Sequence, residues 1–248
     1  MKHYRYAHRG LHDLSSGAPE NSLAAFRRAA EAGFPSELDV HLCADGTLAV
    51  FHDSDLRRMT GYEGVIEDLT REQYGALALA GTAETIPAFE DVLSVYEGRG
   101  LPLLVELKSR GNNFSALAAR AAETLDRFRV PYCMESFDPR CLTWLRRNRP
   151  EILRGQLAQD FRREPTGMGR GMDVLLTNLC FDFSTRPDFI AYNYDDRRSL
   201  TLRLRARLHG MALFYWTVRS RAELEEAERE GAQPIFEHFL PEGPDIYP

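Results

Sequence analysis

The stretch Ser36-Glu37-Leu38-Asp39-Val40-His41-Leu42-Cys43-Ala44-Asp45-Gly46-Thr47-Leu48-Ala49-Val50-Phe51-His52-Asp53 decides the reading of this chain. In a strand, successive side chains point to opposite faces. Glu37 and Asp39 therefore share one face, and Leu38 and Val40 the other. A second apolar run, residues 48–51, follows after a short link containing Asp45-Gly46. A parallel crossover needs about a dozen residues, so this run must return antiparallel with Asp-Gly as its turn. Such a hairpin brings His52 back toward Glu37 and Asp39.

Outward from the hairpin, short apolar runs alternate with amphipathic helical stretches, the pattern of repeated βα units around a parallel sheet. Strands are expected at residues 5–8, 36–40, 103–107, 132–135, 153–157, 189–192, 213–217 and 234–237. Helices are expected after Ser22 and Ser220, each a capping residue ahead of a helix-period run closed by a glycine, and also near 115–128 and 200–208. Eight strands close a barrel, and 248 residues match the typical α/β barrel length of about 250. The expectation is one α/β domain spanning 1–248, a TIM-type (β/α)8 barrel. Residues 53–87, with Gly61 and Gly64, are too irregular for another βα unit and read as a small polar insertion that caps the site.

Charges inside strands need a reason, because an unpaired ionised carboxylate in a core costs several kcal/mol. Glu37-Leu38-Asp39-Val40 and Val105-Glu106-Leu107-Lys108 send apolar groups outward to helices and charged groups into the barrel. Three inward carboxylates, Glu37, Asp39 and Glu106, repel one another unless something positive sits between them. A hard divalent cation with oxygen ligands, Mg²⁺ or Ca²⁺, meets that need. So does a buried salt-bridge cluster in which Arg9 and Lys108 neutralise the acids. His8 ends the first strand and His52 ends the hairpin return, where barrel enzymes keep catalytic groups. With an unperturbed pKa of ~6.5, the two imidazoles suit a general acid and base, and Arg9 and Lys108 suit a phosphate.

Lys plus Arg number 31 against 37 Asp plus Glu, giving a net charge of −6, so no nucleic-acid partner is expected. The four cysteines lack CxxC spacing, which argues against a zinc knuckle or a redox dithiol. No apolar window is long enough to span a bilayer and the first residues lack a signal-peptide core, so no stable membrane insertion and a cytoplasmic location are expected.

Taken together, His8-Arg9-Gly10, Pro19-Glu20-Asn21-Ser22, Glu37-Leu38-Asp39-Val40, Asp45-Gly46 before Phe51-His52-Asp53, Glu106-Leu107-Lys108, Ser136-Phe137-Asp138-Pro139 and Trp216-Thr217-Val218 resemble the glycerophosphodiester phosphodiesterase family in order and spacing. The resemblance covers nearly the whole chain. It implies an α/β barrel, a divalent metal held by Glu37, Asp39 and Glu106, and His8 and His52 as the acid–base pair. It further implies phosphate contacts from Arg9 and Lys108, loop residues Glu20 and Asn21 that order the site and touch metal or substrate, and a glycerol pocket lined by Phe137 and Trp216. The substrate class it implies is a small glycerophosphodiester, cleaved to glycerol 3-phosphate and an alcohol. The family's usual Thr-Asp ending of the last strand is replaced here by Glu237-His238.

Two rivals stand beside that reading. A lysophospholipase D or sphingomyelinase D-like activity would share the chemistry but need an apolar groove, for which Phe161, Met168, Met172, Phe181 and Phe183 are candidates. A barrel that only binds would be expected to have lost part of the set of two histidines and three carboxylates. A glycosidase is disfavoured, because two carboxylates on one strand face are too close to flank a sugar bond.

Overall fold

The structure is a computed structural model describing residues 3–244, so both ends of the expected 1–248 unit lie outside the described residues. Among these residues nine strands form: β1 (Tyr6–Ala7), β2 (Ser36–Leu42), β3 (Leu48–Val50), β4 (Leu103–Leu107), β5 (Tyr132–Ser136), β6 (Arg154–Ala158), β7 (Phe189–Asn193), β8 (Ala212–Val218) and β9 (Gln233–Phe236). All but β3 are parallel. They close into an eight-stranded TIM-type barrel with helices between the strands, because β1 pairs with both β2 and β9. β3 lies outside the ring, antiparallel to β2, with Val50 opposite Val40. Gly46, with φ +78°, makes the turn that joins them, as the Asp-Gly pair predicts. The expected strand ends shift by a residue or two: β1 keeps only two residues and β9 stops before Glu237.

The helix caps follow the sequence. Ser22 accepts the Ala25 N–H at 3.1 Å and starts the helix Leu23–Glu31; Ser220 does the same for Arg221–Arg229. Outward strand residues Leu38, Val40, Val105 and Leu107 pack against Phe26, Leu93 and Leu117 of the helical ring. Inward residues Tyr6, Leu104, Phe189, Phe214 and Ile235 form a separate apolar plug that fills the lower barrel. Burying each large apolar side chain stabilises the fold by about 1.5–3 kcal/mol. Above the plug the inward set changes character. Asp39, Glu106 and Glu135 lie side by side in register across β2, β4 and β5, one strand step above Leu104 and Cys133.

Residues 53–87 differ from the polar insertion expected. Leu56, Ile66, Leu69, Tyr74, Leu79 and Ile86 form a small core of their own against Ala49 and Phe51 of the hairpin. No helical or strand period spaces them, which is why the sequence hid them. The insertion meets the barrel mouth along one side, through His52, Ser54 and Arg58.

Gly155 shows how tightly the barrel is filled: a Cβ there would stand 1.9 Å from Cε2 of Phe189. Gly155→Ala is expected to lower stability by about 1–3 kcal/mol through overpacking. Urea unfolding measures this, and an unchanged midpoint would show that the plug yields freely.

Candidate active site

The site is built on three strand ends and two tight turns. After β1 the chain turns sharply through Arg9 (φ +54°) and Gly10 (φ +80°). A Cβ on Gly10 would come within 2.8 Å of the Ala25 backbone, so glycine is what lets this turn press against the first helix. The turn aims the Arg9 N–H at Glu37 Oε2 (3.0 Å) and its guanidinium at Glu20 (2.8 Å) and Asp39 (3.5 Å). Asn21, also left-handed, donates from its amide to Asp39 Oδ2 at 2.8 Å. It is buried behind the carboxylates and orders Asp39 from there, whereas Glu20 reaches the cleft.

Glu37, Asp39 and Glu106 are buried, and each offers an oxygen within 4.8 Å of the others. Lys108 donates to Glu106 at 2.9 Å and stands 3.2 Å from Asp39. The sequence left open whether Arg9 and Lys108 neutralise the cluster, and they do so unevenly. Burial raises Asp39, but Lys108, His52 and Arg9 together hold it well below the usual carboxylate range. Glu37 has less cover: burial first, then the Asp39 charge, push it well above that range against the pull of Arg9. Glu106 is also raised by burial, against the pull of Lys108. Burial pulls the Lys108 ammonium down, and Glu106 and Asp39 outweigh it to raise the group above its ordinary value. Three oxygens this close, with one acid only weakly compensated, fit a hard divalent cation.

Both histidines reach the same cleft, of about 660 Å³, with Arg9, Glu20, Lys108, Phe137 and Trp216. His8 Nδ1 lies 2.6 Å from Glu237 Oε2, while Nε2 faces Glu37 Oε2 at 3.9 Å. Burial tends to raise Glu237, but the neighbouring His12 and the hydrogen bond to His8 hold it well below its ordinary value. An ionised Glu237 accepts from Nδ1–H, which assigns the lone pair to Nε2. Burial, then the Arg9 charge, bring His8 down to about 4. His52 has the parallel arrangement, with Nδ1 on Asp53 and Asp53 held in turn by Arg58. Phe137 and Trp216 meet edge to face at 5.6 Å.

Sequence reasoning missed Glu237, which with Arg219, His12 and His238 gathered around it orients His8. The replaced Thr-Asp ending was its signal. It also missed Glu135, a fourth inward carboxyl that burial and its acidic neighbours raise well above the usual range. The charge-in-a-strand argument that found Glu106 applies to it equally.

A second cavity, of about 650 Å³, shares His52, Lys108, Phe137, Phe161 and Thr166 with the first and continues along Met168, Met172, Leu176 and Phe181. Four of the five groove candidates line it. Phe183 instead points away, 78% exposed.

A profile of the Glycerophosphoryl diester phosphodiesterase family matches residues 8–241. The chain is 28% identical to a glycerophosphodiester phosphodiesterase of Caldanaerobacter subterraneus subsp. tengcongensis, over 95% of this chain and 93% of that one. Its fold superposes on an Oleispira antarctica phosphodiesterase solved with the product sn-glycerol-3-phosphate, with TM-score 0.77, 24% identity, and coverage of 95% and 93%. It also superposes on a glycerophosphodiester phosphodiesterase of Parabacteroides distasonis with TM-score 0.75, 24% identity, and coverage of 96% and 94%. At these identities the structural likeness shows a shared fold.

Because Glu37 and Glu106 hold protons at higher pH than ordinary carboxyls, and a bound cation requires them ionised, cation binding is expected to expel protons. Apparent affinity for Mg²⁺ or Ca²⁺ then rises with pH as these groups ionise. Calorimetric titration in buffers of different ionisation enthalpy reads the release, and a binding heat independent of buffer would contradict it.

Proposed function

The chain belongs to the glycerophosphoryl diester phosphodiesterase family of phosphoric diester hydrolases, and on that premise we propose that it cleaves glycerophosphodiesters to glycerol 3-phosphate and an alcohol. The observation that carries the reading is one cleft that holds two histidines, each with Nδ1 bound to a carboxylate, beside three buried acids and Lys108. In this reading Glu37, Asp39 and Glu106 hold Mg²⁺ or Ca²⁺, which when bound polarises a phosphoryl oxygen.

The chain's own groups divide the remaining work. Arg9 and Lys108 bind the other phosphoryl oxygens and offset charge that grows in the transition state. His8, neutral at neutral pH and unprotonated at Nε2, takes the proton of the attacking water, whose oxygen bonds to phosphorus as the bond from phosphorus to the alcohol oxygen breaks. His52 then gives a proton to the leaving alcohol oxygen, with Asp53 fixing the ring so that Nε2 meets the substrate. Phe137 and Trp216 hold the glycerol carbons. Glu20 and Asn21 position Arg9 and Asp39.

Choline release from glycerophosphocholine, with either cation added to chelator-stripped protein, tests this directly. His8→Ala and His52→Ala are each expected to lower kcat by about 10²–10⁴-fold. Full activity in either variant would remove that histidine from the chemistry, and no cation-dependent turnover by the wild type would leave a binding protein.

A second reading is favoured by the apolar cavity that opens from Lys108. Its Met172 and Leu176 wall fits a diester whose glycerol carries an acyl chain, a lysophospholipid. Met172→Asp is expected to lower kcat/KM for lysophosphatidylcholine about tenfold or more and leave glycerophosphocholine unchanged. Equal effects on both substrates would show that the groove does not receive the chain.

A further inference from the structure

Among the described residues, seven of the eleven exposed large apolar side chains fall between Met168 and Leu208, on one side of the barrel. Three of them, Leu200, Leu204 and Leu208, recur every fourth residue on the helix Leu200–His209 and so form one stripe, 82%, 59% and 68% exposed. Leu202, on the opposite side, is buried and anchors the helix to the barrel. The exposed face contains no acid: besides the leucines it carries Arg203 and Arg207, which form no ion pair among the described residues. The acid-free stretch runs from 197 to 222 in a chain whose net charge is −6. The overall balance, which gave no hint of affinity for an anionic surface, conceals this local excess of arginine.

The stripe continues onto the groove wall. Arg205 lies over the ring of Phe183 at 5.7 Å, and Thr201 bonds the Asn178 side chain at 2.9 Å, tying this helix to the one at Arg170–Thr177. That second helix is two-faced. Met172 and Leu176 line the cavity that leads to Lys108, while Val174 and Leu175 are turned to solvent beside Arg170. One helix therefore separates the exposed apolar face from the apolar groove of the site.

We propose that this face, the helix Leu200–His209 together with Phe183, Val174 and Leu175, docks on an anionic phospholipid membrane and that lysophospholipids pass from it into the groove. The inference rests on the second reading above, that acylated diesters are substrates. Leucines interleaved with arginines are what an interfacial helix presents: apolar groups for the acyl boundary, cations for lipid phosphates. No helix among the described residues is long and apolar enough to cross a membrane, so the contact lies on the surface. A second copy of the chain fits the stripe poorly, since a two-fold pairing would set Arg203 and Arg207 against their counterparts with no acid on the helix between them.

The test is flotation of the whole protein with vesicles of phosphatidylcholine alone or mixed with phosphatidylglycerol, alongside glycerophosphocholine turnover in solution. Wild type is expected to float with the mixed vesicles, less so as salt is raised. Leu204→Asp, and separately the pair Arg203→Glu and Arg207→Glu, should weaken that binding about tenfold or more. Turnover of lysophosphatidylcholine held in the same vesicles should fall in parallel, with glycerophosphocholine turnover unchanged. Wild type that stays unbound overturns the proposal, as do variants that float like wild type or a stripe that proves to be buried in a dimer by light scattering. Those results would leave the hydrolase reading intact if glycerophosphocholine is still cleaved. Loss of that cleavage in the wild type would instead strike the proposed function.

Discussion

The architecture turns on one electrostatic constraint: four carboxyls, Glu37, Asp39, Glu106 and Glu135, are turned into the upper half of a barrel whose lower half is an apolar plug. Buried negative charge in such number is tolerable only with positive charge close by or with protons held on the acids. The chain uses both devices. Lys108 spans Asp39 and Glu106, Arg9 approaches Asp39, and the remaining acids are left with raised affinity for protons. The pocket made in this way fits a small hard cation.

Much of the surrounding structure serves to hold that arrangement still. The left-handed turn at Arg9 and Gly10 exists because helix Leu23–Glu31 presses on it, and it places a backbone N–H on Glu37. Asn21 pins Asp39 from behind, and Glu20 ties Arg9 to Arg58 of the insertion. Each histidine is fixed through Nδ1 by a carboxylate that is itself held by an arginine, Glu237 by Arg219 and Asp53 by Arg58. Pre-positioned groups of this kind avoid reorganisation at the moment of reaction.

The two cavities that meet at His52, Lys108 and Phe137 give the site two chemical characters. One is polar and edged by the histidines. The other is walled by methionine, leucine and phenylalanine from the segment after β6, which is also the segment that turns its other face outward beside the Leu200–His209 helix. The apolar wall therefore lies on one side of the barrel, apart from the strand ends that carry the acids and the histidines.

The barrel and the inward acids were legible in the chain because both depend on local alternation. A period of two along Glu37-Leu38-Asp39-Val40 and Val105-Glu106-Leu107-Lys108 decides which groups face in, and the Asp45-Gly46 turn decides where His52 returns. Glu135 obeys the same rule and was there to be read. Other features depend on residues far apart in sequence and have no local period to reveal them. Glu237 meets His8 across 229 positions when the barrel closes β9 onto β1. The small core of the insertion and the cavity behind Lys108 likewise arise from residues that only the fold brings together. Pattern along a strand sets direction, whereas partnership across a closed sheet exists only once the chain has folded.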